Sequence, residues 1–238
     1  MPKLYLIPNP ISEEGLLTIP DYIERIVASL RYFIVEEERE GRRFLKQLCP
    51  SLPVAECKFF TLNEHTAAKE LKTIFAEIPG KDGGLISDAG CPCVADPGAG
   101  LVLWAHQKNY EVIPLVGPSS ILLALMASGL NGQNFAFNGY LPKERSERIK
   151  KIKLLEKRSL TENQTQIFME TPYRNQHVFE DLLSGLDSQT LLCVALDLTG
   201  QAQSIKTAAV KDWKKTAAAL PKKPAVFLIH RQTALSPS

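Results

Sequence analysis

Leu85-Ile86-Ser87-Asp88-Ala89-Gly90-Cys91-Pro92-Cys93-Val94-Ala95-Asp96-Pro97-Gly98 opens on the end of a short apolar strand and then crowds turn-formers and two carboxylates into the positions after Ile86. Gly90, Pro92, Pro97 and Gly98 fix a tight backbone path, and a path with so few donors left for a ladder brings main-chain groups close to a ligand. A second element of this kind follows at the next strand end. Val112-Ile113-Pro114-Leu115-Val116 runs into Gly117-Pro118-Ser119-Ser120 and then into the helix-patterned stretch Ile121 to Ser128, closed by Gly129. Two loops at two strand ends predict one shared crevice at the edge of an α/β sheet.

Outward from these loops the chain alternates between two periods. Leu4–Ile7, Phe33–Val35, Lys58–Thr61, Leu85–Ser87 and Val112–Leu115 are short apolar or β-branched runs. Between them lie helix-patterned segments at Ile19–Leu30, Gly41–Leu48, Thr66–Glu77 and Gly100–Lys108. A second set of strands, Phe135–Phe137, Gln166–Met169, Leu191–Leu196, Ser204–Ala208 and Ala225–Ile229, is separated by helices near Arg145–Lys157, Gln176–Ser184 and Val210–Leu220. This alternation predicts two α/β domains, 1–116 and 117–238, each a mostly parallel or mixed sheet flanked by helices. Only Ser236-Pro237-Ser238 reads as a disordered end.

At 238 residues, 45% hydrophobic and 23% charged, the chain has the composition of a globular enzyme. Its longest apolar runs, such as Ala225–Ile229, are far short of the roughly 20 residues a bilayer demands, so no membrane helix is expected. Met1-Pro2-Lys3-Leu4-Tyr5-Leu6-Ile7 reads as a first strand instead of a signal peptide, which predicts a cytoplasmic protein. The 5 cysteines are odd in number and scattered, as reduced thiols are. Cys91 and Cys93 are spaced too closely for the usual zinc pair and have no second pair to complement them, so no metal site is expected.

Charge divides the chain. Residues 1–114 carry 12 Lys and Arg against 16 Asp and Glu, and residues 115–238 carry 16 against 10, so the positive field lies in the second half. It is densest in Lys143–Arg158, where Lys143, Arg145, Arg148, Lys150, Lys151, Lys153, Lys157 and Arg158 outnumber three glutamates. Two readings stand: a surface that neutralises nucleic-acid phosphates, or a solvated helix face opposite a buried stripe of Ile149, Ile152 and Leu155. Several chemistries are excluded by missing motifs. Gly98-Ala99-Gly100 lacks the third glycine of a dinucleotide fingerprint, and there is no P-loop lysine, no His-Glu-x-x-His helix and no Gly-x-Ser-x-Gly elbow.

Taken together, Leu4-Tyr5-Leu6-Ile7-Pro8-Asn9-Pro10-Ile11, the Ser87–Pro92 and Asp96-Pro97-Gly98 segments, Gly117-Pro118-Ser119-Ser120 with Ala124-Leu125 and Ser128-Gly129-Leu130, Gly139-Tyr140-Leu141-Pro142-Lys143 and Glu170-Thr171-Pro172-Tyr173-Arg174 resemble the tetrapyrrole-methylase superfamily. More narrowly, they resemble its branch that methylates the ribose 2′-oxygen of a cytidine in small-subunit ribosomal RNA. The resemblance spans almost the whole chain in order. It implies two α/β domains with the active-site cleft between them, S-adenosylmethionine as cofactor, a homodimer, and ribosomal RNA or the small ribosomal subunit as partner. Carried over by position, Pro8, Ser87, Asp88, Ala89, Ser119 and Ser120 would hold the cofactor, and Tyr140 and Leu141 would line it from the second domain. For Asp88, ligand contact and turn capping both fit; Asp96 reads as structural. Glu36-Glu37-Glu38-Arg39 matches a family Glu-Asp-Thr-Arg, and His65 the second member of a His-x-His cluster. Glu36 or His65 would then accept the ribose proton and Arg39 would hold a phosphate. The acidic run also fits the first turn of a helix.

Departures from the pattern concentrate on the acceptor side. Family Gly-Asn is Ser12-Glu13 here, Asp-Thr is Glu37-Glu38, the first histidine of the cluster is Asn63, Arg-Glu-Leu-Thr-Lys is Leu196-Asp197-Leu198-Thr199-Gly200, and Lys-Gly-Glu is Lys222-Lys223-Pro224. The leading expectation is therefore an S-adenosylmethionine-dependent rRNA methyltransferase. A methyltransferase for a tetrapyrrole-like small molecule and an inactive cofactor-binding protein stand as alternatives.

Overall fold

In the first of two units, Met1–Ser119, the branched and aromatic runs become β1 (Lys3–Ile7), β2 (Tyr32–Val35), β3 (Lys58–Thr61), β4 (Gly83–Ile86) and β5 (Glu111–Pro114). The computed structural model describes the whole chain except residues 64–65, 67–72, 75, 79, 217–218 and 233–238. The five strands form one parallel sheet in the order β3-β2-β4-β1-β5. Between them run α1 (Tyr22–Ser29), α2 (Glu38–Leu48) and α3 (Ala99–Gln107). The helix expected over Thr66–Glu77 falls largely outside the described residues, of which 73–74 and 76–77 are helical, and the tail at 236–238 falls outside altogether.

Alternation along the strands gives the sheet two cores. Ile7, Phe33, Val35 and Ile86 point into one with Ile23 and Val27 of α1 and Phe44 and Leu45 of α2. Leu4, Ile34 and Leu85 point into the other with Leu101 and Ala105 of α3. A sheet covered on both faces explains why its strands read as unbroken apolar runs. Each fully buried side chain of this kind, such as Phe33 or Ile86, contributes about 1.5–3 kcal/mol. α1 starts at Tyr22 and not at Ile19, because Gly15–Thr18 form a 3-10 turn and Ile19 is extended.

Register then does something for function. Ile7 and Val35 both face Ile86, and Leu6 faces Pro114. The carboxyl ends of β1, β2, β4 and β5 are therefore level, and the loops that follow them start side by side.

The second unit, Ser120–Ser238, holds α4 (Ser120–Ser128), β6 (Phe135–Tyr140), α5 (Arg145–Glu162), β7 (Thr165–Glu170), α6 (Asn175–Gly185), β8 (Leu191–Leu196), β9 (Ser204–Ala209), α7 (Val210–Thr216) and β10 (Ala225–His230). Its sheet runs β6-β7-β10-β8-β9. β6 and β7 are parallel and the remaining pairs antiparallel, which makes it mixed. Ile152, Leu155, Phe179, Leu182, Val210 and Trp213 of α5, α6 and α7 share a core with Phe168, Val194 and Phe227 of the strands. α4 packs against β8, β9 and β10. β6 outruns its expected end at Phe137 because its register shifts between Phe137 and Tyr140, where Gly139 takes a left-handed φ of 66°. The two-unit α/β architecture predicted from sequence is thus observed, one sheet parallel and the other mixed. Among the described residues no helix is long and apolar enough to cross a membrane.

Candidate active site

Three loops meet above the level strand ends of the first unit. The β1 loop and the β4 loop are joined by a two-way bridge: Asn9 N–H donates to Gly90 O and Gly90 N–H to Asn9 O, each at 2.9 Å. The buried Asn9 amide also donates to Ser87 O at 2.8 Å and Asp88 O at 3.1 Å. The β5 loop joins the same cluster. Cys91 Sγ donates to Pro118 O at 3.4 Å, and Gly117 lies so close to the Pro8 ring that a Cβ there would overlap it. Pro8, Ser87, Asp88, Ala89 and Ser119, the cofactor positions expected in this half, therefore lie on loops that are mutually fixed. Pro8 and Ser87 form the buried floor, and Asp88 and Ala89 are exposed.

The β4 loop carries backbone strain. Gly90, Cys93, Ala95 and Gly98 all have positive φ, at 71°, 67°, 66° and 130°. For Cys93 and Ala95 this conformation is costly, and non-glycine residues held there cluster at ligand clamps.

Carboxylates dominate the chemistry. Glu36, the residue after β2, accepts the main-chain N–H of Asp88 through Oε1 at 3.1 Å. One oxygen of the proposed base is thereby occupied in shaping the turn. Burial, opposed by that hydrogen bond, raises its pKa, and the nearby Asp88 charge raises it further. Asp88 is raised mainly by burial as well, with a main-chain hydrogen bond from Glu37 opposing. Asp96 is pushed furthest, to about 7, by burial and then by the charges of Glu36 and Asp88. Sequence reading took Asp96 as structural; its side chain instead joins the electrostatics of this edge. Glu37 caps α2, accepting from Arg39 N–H at 3.5 Å, so the acidic run does form a helix start. Arg39 is exposed on that first turn, and His65 lies outside the described residues.

The Asp96 shift has a testable sign. Its carboxyl binds a proton more tightly folded than unfolded, so stability falls as pH rises from about 4 to about 7. Asp96→Asn removes that loss. The variant is expected to match the parent near pH 4 and to exceed it at pH 8 by on the order of 1–2 kcal/mol, allowing for screening of a half-exposed group. Urea denaturation at the two pH values measures this, and equal stabilities at pH 8 would remove Asp96 from the buried cluster.

The second unit holds the remaining positions. Ser120 begins α4; Tyr140, the last residue of β6, is exposed and Leu141 after it is buried. The basic segment needs one correction. Arg148 is 6% exposed and bonded to Asp181, with Nε to Oδ2 at 2.8 Å. Arg145 shares that carboxylate at 2.9 Å, and Lys150 pairs with Glu147 at 2.8 Å. Lys143, Lys153, Lys157 and Arg158 remain as exposed cations on this side of α5 and its approach. The divergent Leu196–Gly200 stretch is a closed turn: Asp197 Oδ2 accepts from Ala202 N–H at 3.0 Å. Any side chain at Gly200 would begin 2.6 Å from the Asp197 carboxylate, which accounts physically for glycine at this point.

No protein-family model matches the chain. It is 32% identical over 206 residues to the "Ribosomal RNA small subunit methyltransferase I" of Vibrio cholerae, covering 86% of this chain and 68% of that protein. To the protein of the same description in Synechocystis it is 31% identical over 196 residues, 82% of this chain and 67% of that one. Among solved structures it is similar to a uroporphyrin-III C-methyltransferase of Thermus thermophilus complexed with S-adenyl homocysteine. The TM-score is 0.54, with 14% identity over 96% of this chain and 97% of that one. At such identity the likeness speaks to fold alone.

Proposed function

This chain belongs to the ribosomal RNA small subunit methyltransferase I family, and on that premise we propose that it transfers a methyl group from S-adenosylmethionine to a ribose 2′-oxygen of small-subunit ribosomal RNA. The observation that carries the proposal is the locked edge of the first unit. Loops after β1, β4 and β5 present main-chain groups from a fixed frame, and the carboxylates of Asp88 and Asp96 face the same ground as Glu36. That set suits a ligand bearing both a sulfonium and an ammonium group. When bound, S-adenosylmethionine supplies a methyl group already activated on sulfur, so the residues need only orient, exclude water and take one proton.

Pro8, Ser87, Asp88, Ala89, Ser119 and Ser120 hold the cofactor in this reading, with Tyr140 and Leu141 completing the set. Glu36 positions the Asp88 turn through its hydrogen bond to the main chain. Arg39 contacts an RNA phosphate. The ribose proton goes to a group that titrates near neutrality, for which His65 and Asp96 are the two candidates. The exposed cations Lys153, Lys157 and Arg158 supply the salt-dependent part of RNA affinity. A homodimer in the cytoplasm belongs to the same proposal, and Leu122 and Met126, exposed on α4, provide apolar surface for such contact.

The direct test is transfer of labelled methyl from S-adenosylmethionine to small ribosomal subunits from cells lacking this protein, with free tetrapyrroles assayed in parallel. Label at one ribose, making that linkage resistant to alkali, is the expected result. Label in the tetrapyrrole alone would overturn the acceptor, and no transfer at all would overturn the activity.

A further inference from the structure

We propose that Arg148 and Arg174 are positioning residues for methyl transfer, two guanidiniums that hold the turn Leu141–Lys143 and thereby fix Tyr140 at the site. The inference rests on the assignment of Tyr140 and Leu141 to the cofactor set. Three successive carbonyls are involved. Arg174 Nη2 donates to Leu141 O at 3.2 Å and to Pro142 O at 3.1 Å. Arg148 Nη1 donates to Pro142 O at 3.0 Å and Lys143 O at 2.7 Å.

Each guanidinium is itself held by a carboxylate out of water. Arg148 meets Asp181, 3% exposed, with Nη2 2.7 Å from Oδ2. Arg174 lies 3.1 Å from Oε2 of Glu170, whose side chain is fully buried. That approach is off the hydrogen-bonding direction, leaving Oε2 with charge pairing alone; its partner Oε1 accepts from Thr171 N–H at 2.8 Å. Burying two ion pairs is a poor way to gain stability, since apolar residues of similar volume do as well or better. What the pairs achieve is geometry. The β6 ladder does not set the direction of Tyr140, because its register shifts there and Gly139 is left-handed. The arginine fork sets it instead, from the next three residues, and sites work when their supporting shell is fixed in this way.

Two variants test this. Arg174→Lys keeps the charge beside Glu170 but cannot reproduce the planar two-carbonyl contact. The double variant Arg174→Gln with Glu170→Gln removes the buried pair together, so no lone charge unfolds the unit. Both are expected to melt within about 5 °C of the parent, a shift of order 1 kcal/mol. Calorimetric Kd and KM for S-adenosylmethionine should rise about tenfold or more in the double variant and less in the lysine variant. Its kcat at saturating cofactor should stay within about threefold of the parent, a split that general loosening of the fold does not produce. Parental cofactor affinity in the folded double variant would overturn the inference alone. A parent chain that itself bound no S-adenosylmethionine would overturn the underlying assignment and the inference with it.

Discussion

Asp181→Ala is expected to destabilise the second unit by about 3–5 kcal/mol, because it leaves the Arg148 guanidinium buried without its counter-charge. Asp181 is 3% and Arg148 6% exposed, and their contacts at 2.7 and 2.8 Å are the closest polar partners either side chain has. Glu147→Ala provides the contrast. It breaks an ion pair of the same length, 2.8 Å, between side chains 56% and 74% exposed, and such surface pairs contribute about 0–1 kcal/mol. Urea unfolding of both variants measures the difference. A third variant separates the two roles of the pair: Asp181→Leu with Arg148→Met should recover much of the lost stability while leaving Lys143 O without its donor. Cofactor affinity should therefore stay low when stability returns. A loss under about 1 kcal/mol in Asp181→Ala would show that the pair is solvated and that the turn before α5 is held by something else.

This pair also marks where sequence reading stops. Arg148 was read among the cations of a solvated face, yet it occupies the buried stripe Arg148, Ile152, Leu155, Ser159 of α5. A charge at an apolar position of the helical period is a visible signal, and its partner on α6 is the one element that spacing along a single helix does not reveal. The strands, by contrast, were legible almost to the residue. Lys58–Thr61 and Leu191–Leu196 form as read, because two-sided burial turns each strand into an unbroken apolar run bounded by turn-formers. The loops were legible for a related reason, since glycine and proline announce a tight path. The role of Asp96 was not. Its raised pKa arises from burial by a loop with four positive φ angles and from Glu36, which is brought near only when β2 and β4 pair. Glu36 illustrates the same limit from the other side: its residue type suggested a base, and only the fold shows its oxygen bound to the Asp88 main chain.

Asp88→Arg should weaken S-adenosylmethionine binding by about a hundredfold or more while leaving the fold intact. The fold is spared because the Asp88 side chain is exposed and its structural link to Glu36 runs through the main-chain N–H, which arginine keeps. Affinity is lost because the substitution changes the local charge by two units beside a cationic ligand. At an effective dielectric near 20, one charge about 6 Å away is worth roughly 3 kcal/mol, and screening by salt and solvent reduces the pair to about that total. Asp88→Asn removes one charge and adds none, so about a tenfold loss is expected there. Ionic strength supplies an independent check on cause. Added salt should weaken binding to the parent and strengthen it to the arginine variant, since attraction has become repulsion, whereas a steric block would leave the arginine variant's affinity unmoved by salt. Calorimetry at two salt concentrations gives all of these values. Parental affinity in Asp88→Arg would place the cofactor elsewhere and reduce the Ser87–Asp88–Ala89 turn to a cap on the end of β4.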